Sequence, residues 1–318
     1  MNKLSSVILL LVLTLFNVKL SCYAQAIAPS VKRVVFLGNS ITWAGQYVNY
    51  IETYLRTQHP DRQWEFINVG LPSETVSGFS EEGHAGGSFP RPDLHERLNR
   101  VLQQTKPDLV FACYGMNDGI YKPLDKERFT RFKEGIQWLR TEIEKTGARI
   151  IHITPPDYDE LRGKSIGYTA VLDHYTDWLL DKKATAQWEV IDIHYPMKSY
   201  LQAHRQVDAK FNLQGFALAE DGVHPGETGH WLIARQILLY LGYTKVANAT
   251  GVVESIKQVP DASRLIKLIA ERQNMLRDAW LTETKHKRPG LPAGLPLEEA
   301  SRKSIELLKE IEGLLSRK

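Results

Sequence analysis

A three-layer α/β/α fold built on a mostly parallel five-stranded sheet is the class this sequence predicts, and three observations predict it. Short apolar, β-branched runs alternate with longer amphipathic stretches between residues 33 and 243. Those runs are near-continuously apolar, as strands buried on both faces are. A composition of 43% hydrophobic and 24% charged residues, with 22 Gly and 15 Pro among 318 residues, suits a globular chain and excludes collagen-like, fibrous and disordered classes.

In chain order, the first strand is expected at residues 33–37 and the first helix at 44–57. The second strand follows at 64–69, a helix at 93–105 and the third strand at 108–114. A helix at 126–145, a strand at 149–154, a helix at 167–182, a strand at 188–193 and a last helix at 228–241 complete the unit. Right-handed crossovers would line up the loops after each strand along one edge of the sheet. Three long polar loops, 72–92, 155–165 and 206–225, are longer than compact connections usually are, and the first holds Gly78, Gly83, Gly86 and Gly87.

Beyond residue 243 the strand pattern stops. Leu265, Ile269, Leu276 and Trp280 form one apolar stripe at helical spacing, and Ile305, Leu308, Ile311 and Leu315 a second, either side of the Pro/Gly-rich stretch 289–296. This reads as a helical hairpin that must dock its single apolar faces somewhere. The organisation is therefore residues 1–24 as a signal peptide, 27–243 as the α/β domain and 244–318 as a C-terminal helical extension.

The signal peptide is read from Lys3, an apolar run from Val7 to Phe16 too short to span a bilayer, and small residues at Ser21, Ala24 and Ala26, with cleavage after Ala24 or Ala26. Export to the periplasm or the medium follows, and losing Lys3 and Lys19 takes the formal charge from +3 to +1. Leu20-Ser21-Cys22 partly fits a lipoprotein signal, although Lys19 stands where that signal has an apolar residue, so anchoring through Cys22 is a rival outcome. No transmembrane segment is expected in the mature chain. Cys113 is its one other cysteine, so no intramolecular disulfide can form there. Forty basic against 37 acidic residues leave no footprint for nucleic acid, and the oligomeric state is open.

Four short blocks fall at strand ends or just before a helix. Gly38-Asn39-Ser40-Ile41 follows the first strand and puts a serine at a strand-to-helix turn, where backbone amides and the helix dipole favour negative charge. Asn68-Val69-Gly70 and Gly115-Met116-Asn117-Asp118 offer a backbone amide and an uncharged side-chain donor at the next two strand ends. Asp221-Gly222-Val223-His224 sets an acid three residues before a histidine, a spacing that lets a carboxylate fix the imidazole tautomer. Each block alone is an ordinary turn sequence.

Together and in this order the four blocks resemble those of the SGNH or GDSL-type serine hydrolases, a family of esterases with a flavodoxin-like fold. The resemblance implies Ser40 as nucleophile, His224 as general base and then acid, and Asp221 as its orienting carboxylate. It further implies that the Ser40 N–H, the Gly70 N–H and the Asn117 side chain form the oxyanion hole. Asn39 departs from the family, many members of which carry Asp there.

The chain has no Gly-x-Ser-x-Gly elbow, so the α/β-hydrolase reading loses its central signal, and no cofactor or metal is expected, because it has no His-Glu-x-x-His, no cysteine pair for zinc and no phosphate-binding glycine loop. Trp43, His84, Arg91 and Tyr114 are the candidate substrate-binding residues. Tyr47, Phe79 and Tyr121 are further aromatics near the blocks, His95 flanks the glycine-rich loop, and Asp118 is read as holding its own loop. The expected function is an exported serine esterase acting through an acyl-enzyme on Ser40, with a carbohydrate or glycan O-acetyl ester as substrate. A lysophospholipase or thioesterase, a non-catalytic glycan-binding protein of the same fold, and acyl transfer to a sugar are the alternatives.

Overall fold

The computed structural model describes residues 27–211 and 215–316; the signal segment 1–24 and Cys22 lie outside the described residues. Five strands, β1 (Arg33–Gly38), β2 (Glu65–Asn68), β3 (Leu109–Cys113), β4 (Arg149–Ile153) and β5 (Val190–Ile191), form one sheet in the order β2-β1-β3-β4-β5. Every pairing is parallel. Nearly every strand side chain is buried, which is why the strands read as unbroken apolar runs.

The first expected helix is two helices, α1 (Ser40–Ala44) and α2 (Gln46–Gln58), because Gly45 between them adopts φ +80°. Then come α3 (Leu98–Thr105), α4 (Lys126–Lys145), α5 (Tyr168–Thr185), α6 (His194–Phe211) and α7 (Glu227–Tyr240). From β1 the chain crosses outward to β2 and then returns past β1 to β3. Right-handed crossovers therefore put α2 on one face and α3, α4 and α5 on the other. Helix α7 packs on α2, and Phe132 of α4 stacks on Tyr175 of α5 at 4.3 Å. The reversal beside β1 opens a crevice at the carboxyl ends of β1 and β3, where open α/β sheets bind ligands.

Two expectations are corrected. Residues 206–211, read as loop, continue α6, which buries only His194, Met197 and Leu201 and so shows little periodicity. The fifth strand is two residues long, not six: Thr154 Oγ1 accepts the N–H groups of Ile193 and His194 and takes them out of the ladder.

After α8 (Val252–Ser255), helices α9 (Ala262–Glu283) and α10 (Leu297–Leu315) pair as the hairpin. The α9 stripe is as expected. On α10 it is turned: Ile305 is exposed, while Ala300, Ser304, Ile311, Leu314 and Leu315 are buried. The hairpin lies along α2 and edge strand β2. Gln273 donates to Phe66 O at 3.1 Å, and Arg56 of α2 donates to Trp64 O at 3.1 Å, covering carbonyls that a bare edge strand would expose.

Candidate active site

The turn after β1 is shaped by Asn39, whose Oδ1 accepts the Ile41 N–H at 3.1 Å and caps α1. Ser40 is the first residue of that helix, so its N–H has no intrahelical acceptor. Its side chain is half-buried. Helix α1 sits tightly on the loop after β2: a Cβ on Gly70 would lie 2.4 Å from Trp43 N. Only glycine fits there.

Across the crevice, the loop before α7 brings in the other two groups. Ser40 Oγ lies 2.8 Å from His224 Nε2, and His224 Nδ1 lies 2.6 Å from Asp221 Oδ2. The other Asp221 oxygen accepts the N–H groups of Val223 and His224 at 2.9 and 2.8 Å. Partial burial pushes the Asp221 carboxyl up, but those bonds from the His224 backbone and ring and the Val223 backbone outweigh it and hold it below the ordinary carboxylate range. An ionised carboxylate on Nδ1 fixes the proton there and leaves Nε2 to accept from the serine. Such a set can take a proton from an alcohol and return it to a leaving group. Both Asp221 and His224 are exposed.

The loop is set from behind. Gly222 has φ +84°, and a Cβ on it would lie 2.5 Å from Gly163 Cα. Its carbonyl accepts the Asp159 N–H at 3.0 Å. The Asp159 carboxylate, 2% exposed, takes two bonds of 2.6 Å from Arg205 on α6. Thus α6, a helix the sequence reading did not place at all, braces the histidine loop.

The three expected oxyanion donors differ. Asn117 is buried; its Nδ2 donates to Glu74 O at 3.1 Å and its Oδ1 accepts from Tyr121 at 3.0 Å, which leaves the second Nδ2 hydrogen for a ligand. Asp118 behind it accepts the Val76, Ser77 and Gly115 N–H groups at 2.8 to 2.9 Å, so it does hold its loop. Gly70 is a correction: its N–H donates to Asn68 Oδ1 at 2.9 Å, while Asn68 Nδ2 donates to Thr42 O at 2.6 Å. Two bonds of opposite sense fix that amide's orientation, so the Gly70 N–H is engaged inside the loop.

The four candidate substrate residues do not share one fate. Trp43 is half-buried beside Ser40, its ring beneath the guanidinium of Arg277 at 4.5 Å. Tyr114 is a correction: at 1% exposure it belongs to the core and donates to Glu74, which also pairs with buried Arg97. Arg91 is 8% exposed and is neutralised by Glu81 through two bonds of 2.6 Å, with Tyr121 under its guanidinium, so it is no free anion binder. His84 leans on the same Glu81 at 3.2 Å, and His95 stacks on Trp138 at 3.8 Å. Sequence reading missed Glu81, which organises this loop, and Arg277, which donates to Trp43 O at 2.8 Å from 234 residues away. A charge pattern cannot reveal partners so distant.

Among the described residues no group of three or more His, Cys, Asp or Glu could hold a metal ion, and no helix is long and apolar enough to cross a membrane.

Comparison with known proteins fits this geometry. A family model described as the GDSL-like Lipase/Acylhydrolase family matches residues 36–232. An acetylxylan esterase of Geobacillus stearothermophilus is 25% identical over 242 residues, 67% of this chain and 94% of that protein. Among solved structures, a catalytic mutant of an acetylxylan esterase from the same organism superposes with a TM-score of 0.53 at 22% identity, covering 69% of this chain and 97% of the other. A gut microbial diltiazem-metabolizing enzyme gives 0.59 at 18% identity over 92% and 91%. These two likenesses show the fold. With more than half of its length matched, the chain belongs to the GDSL-like lipase/acylhydrolase family and is an ester hydrolase of the SGNH type.

Proposed function

We propose that this ester hydrolase removes O-acetyl groups from a carbohydrate, through an acyl-enzyme on Ser40. The observation that carries the reading is the unbroken chain from Ser40 Oγ through the His224 ring to Asp221, at 2.8 and 2.6 Å. His224 Nε2 takes the hydroxyl proton as Oγ adds to the acetyl carbonyl. Asp221 stabilises the imidazolium that forms. The oxyanion of the tetrahedral state is met by the Ser40 N–H and the free Asn117 amide hydrogen, donors aimed before the reaction starts. Nε2–H then protonates the departing sugar oxygen, the C–O bond breaks and Ser40 is left acetylated. Water, deprotonated by the same nitrogen, releases acetate and restores the hydroxyl.

Two features support the substrate. The similarity to acetylxylan esterases, at low identity, points to sugar acetates. The exposed Asp221 and His224 suit an ester carried on a chain that slides over the surface, rather than an acyl tail swallowed whole. Export through residues 1–24 would bring the enzyme to such polymers.

Initial rates on p-nitrophenyl acetate, butyrate and octanoate, with acetate release from an acetylated xylo-oligosaccharide, test the proposal. Highest kcat/KM on acetate and release from the sugar are expected. A rate that climbs steeply with acyl length would instead favour a lysophospholipase or thioesterase.

A further inference from the structure

A cavity of about 400 Å³ lies between the loop at Phe89 and the segment Lys287 to Pro289 that links the two hairpin helices. Small-molecule sites span about 300–1,000 Å³. Its wall is tied through the backbone to the turn that carries the nucleophile: the wall residue Leu71 follows Gly70 directly, and the Leu71 N–H donates to Gly38 O at 2.9 Å, two residues before Ser40. Phe89, Pro90 and Pro92 offer it apolar faces.

Its charges are not balanced alike. Arg97 is paired with Glu74, Arg91 with Glu81, and Lys287 with Glu96 at 2.8 Å. Arg288 differs. Its Nε donates to Pro72 O at 3.0 Å and its Nη1 to Pro289 O at 2.8 Å, and its guanidinium lies over Phe89 at 5.2 Å. Among the described residues it has no carboxylate partner, and Nη2 has no hydrogen-bond acceptor. Three contacts hold this guanidinium rigid at the cavity wall, and a planar, fixed guanidinium is matched to a carboxylate. Beside it, His84 packs edge-on against Phe89 with its buried Nε2 unpartnered.

We propose that this cavity is a subsite for a uronic-acid unit of the acetylated oligosaccharide, its carboxylate held by Arg288 and its ring resting on the Pro90–Pro92 surface. The assignment rests on the carbohydrate-esterase reading and adds the sugar's charge to it. The C-terminal hairpin thereby contributes to specificity, since Arg288 belongs to its connecting segment.

Calorimetric titration of the full-length Ser40→Ala protein tests this with two probes, xylotriose bearing one glucuronic acid side group and the same sugar with that carboxyl methyl-esterified. The acid is expected to bind about tenfold or more tighter than its ester, and Arg288→Gln in that background to erase the difference. A circular-dichroism spectrum and cooperative melt of Arg288→Gln matching those of the wild type verify its fold. Equal binding of the two probes, or a preference that survives Arg288→Gln, overturns the subsite. If neither probe binds while the wild type still deacetylates neutral xylo-oligosaccharides, the subsite falls and the carbohydrate reading stands. If the wild type releases acetate from p-nitrophenyl acetate but from no sugar, both fall.

Discussion

At the scale of single residues, Asp221 and His224 were legible as local partners, three residues apart with carboxylate and imidazole 2.6 Å from each other, whereas Ser40, 184 residues from His224, was legible only through the ordered blocks that resemble the family's. Glu81 and Arg277 were not, since what they hold is set only by the completed fold. Gly70 shows a subtler failure, because the rule that a strand-end glycine frees its amide overlooks a nearby asparagine side chain. Replacing Ser40 or His224 by Ala is expected to lower kcat by about 10⁶-fold, Asp221→Ala by less, and Asn117→Ala by about 10²–10³-fold, read in steady-state assays. Asp157 supplies a prediction of another kind. Burial pushes its carboxyl up to about 6, against the opposing charges of His194 and Lys198, and Oδ1 has no partner. The folded state therefore binds its proton more tightly than the unfolded chain does. That stabilisation is full below the ordinary Asp value and is lost as the pH rises through about 6. Asp157→Asn should raise stability relative to wild type at pH 7.5, by up to about 3 kcal/mol, and not at pH 3.5. Equal melting-temperature differences at the two pH values would contradict the account.

At the scale of elements, strands and long helices followed from periodicity, and α4 runs over Lys126–Lys145 as expected. Elements that bury little went astray, as α6 did. Its function appears only in three dimensions: Arg205 neutralises Asp159, which holds Gly222 and so the loop bearing His224. Removing the cation leaves a carboxylate buried and unpaired. Arg205→Ala should cost about 3–5 kcal/mol in denaturant unfolding. Its kcat should fall between about ten- and a hundredfold as the imidazole shifts, with Arg205→Lys recovering part of both. Stability lost with kcat unchanged would separate α6 from the site.

At the scale of the whole molecule, the hairpin is not an appendage. The Glu52 carboxylate on α2 is fully buried and accepts from Arg56 at 2.6 Å, Arg272 at 3.0 Å and Gln273 at 2.5 Å, the last two from α9. Arg277 reaches on to the α1 turn next to Ser40. The boundary at residue 243 suggested by the change of pattern is thus no line along which the fold divides. A chain ending at Tyr243 should be insoluble or unfolded by circular dichroism, because it bares edge strand β2 and removes two of the three donors on Glu52. A soluble, cooperatively melting fragment would refute that.

The centre of the account is that Ser40 alone carries the acyl group, and labelling with a fluorophosphonate followed by peptide mass spectrometry tests it most directly. A single adduct on Ser40, absent from Ser40→Ala and strongly slowed in His224→Ala, is the predicted result. Modification of another residue, or ester turnover undiminished in Ser40→Ala, would contradict it.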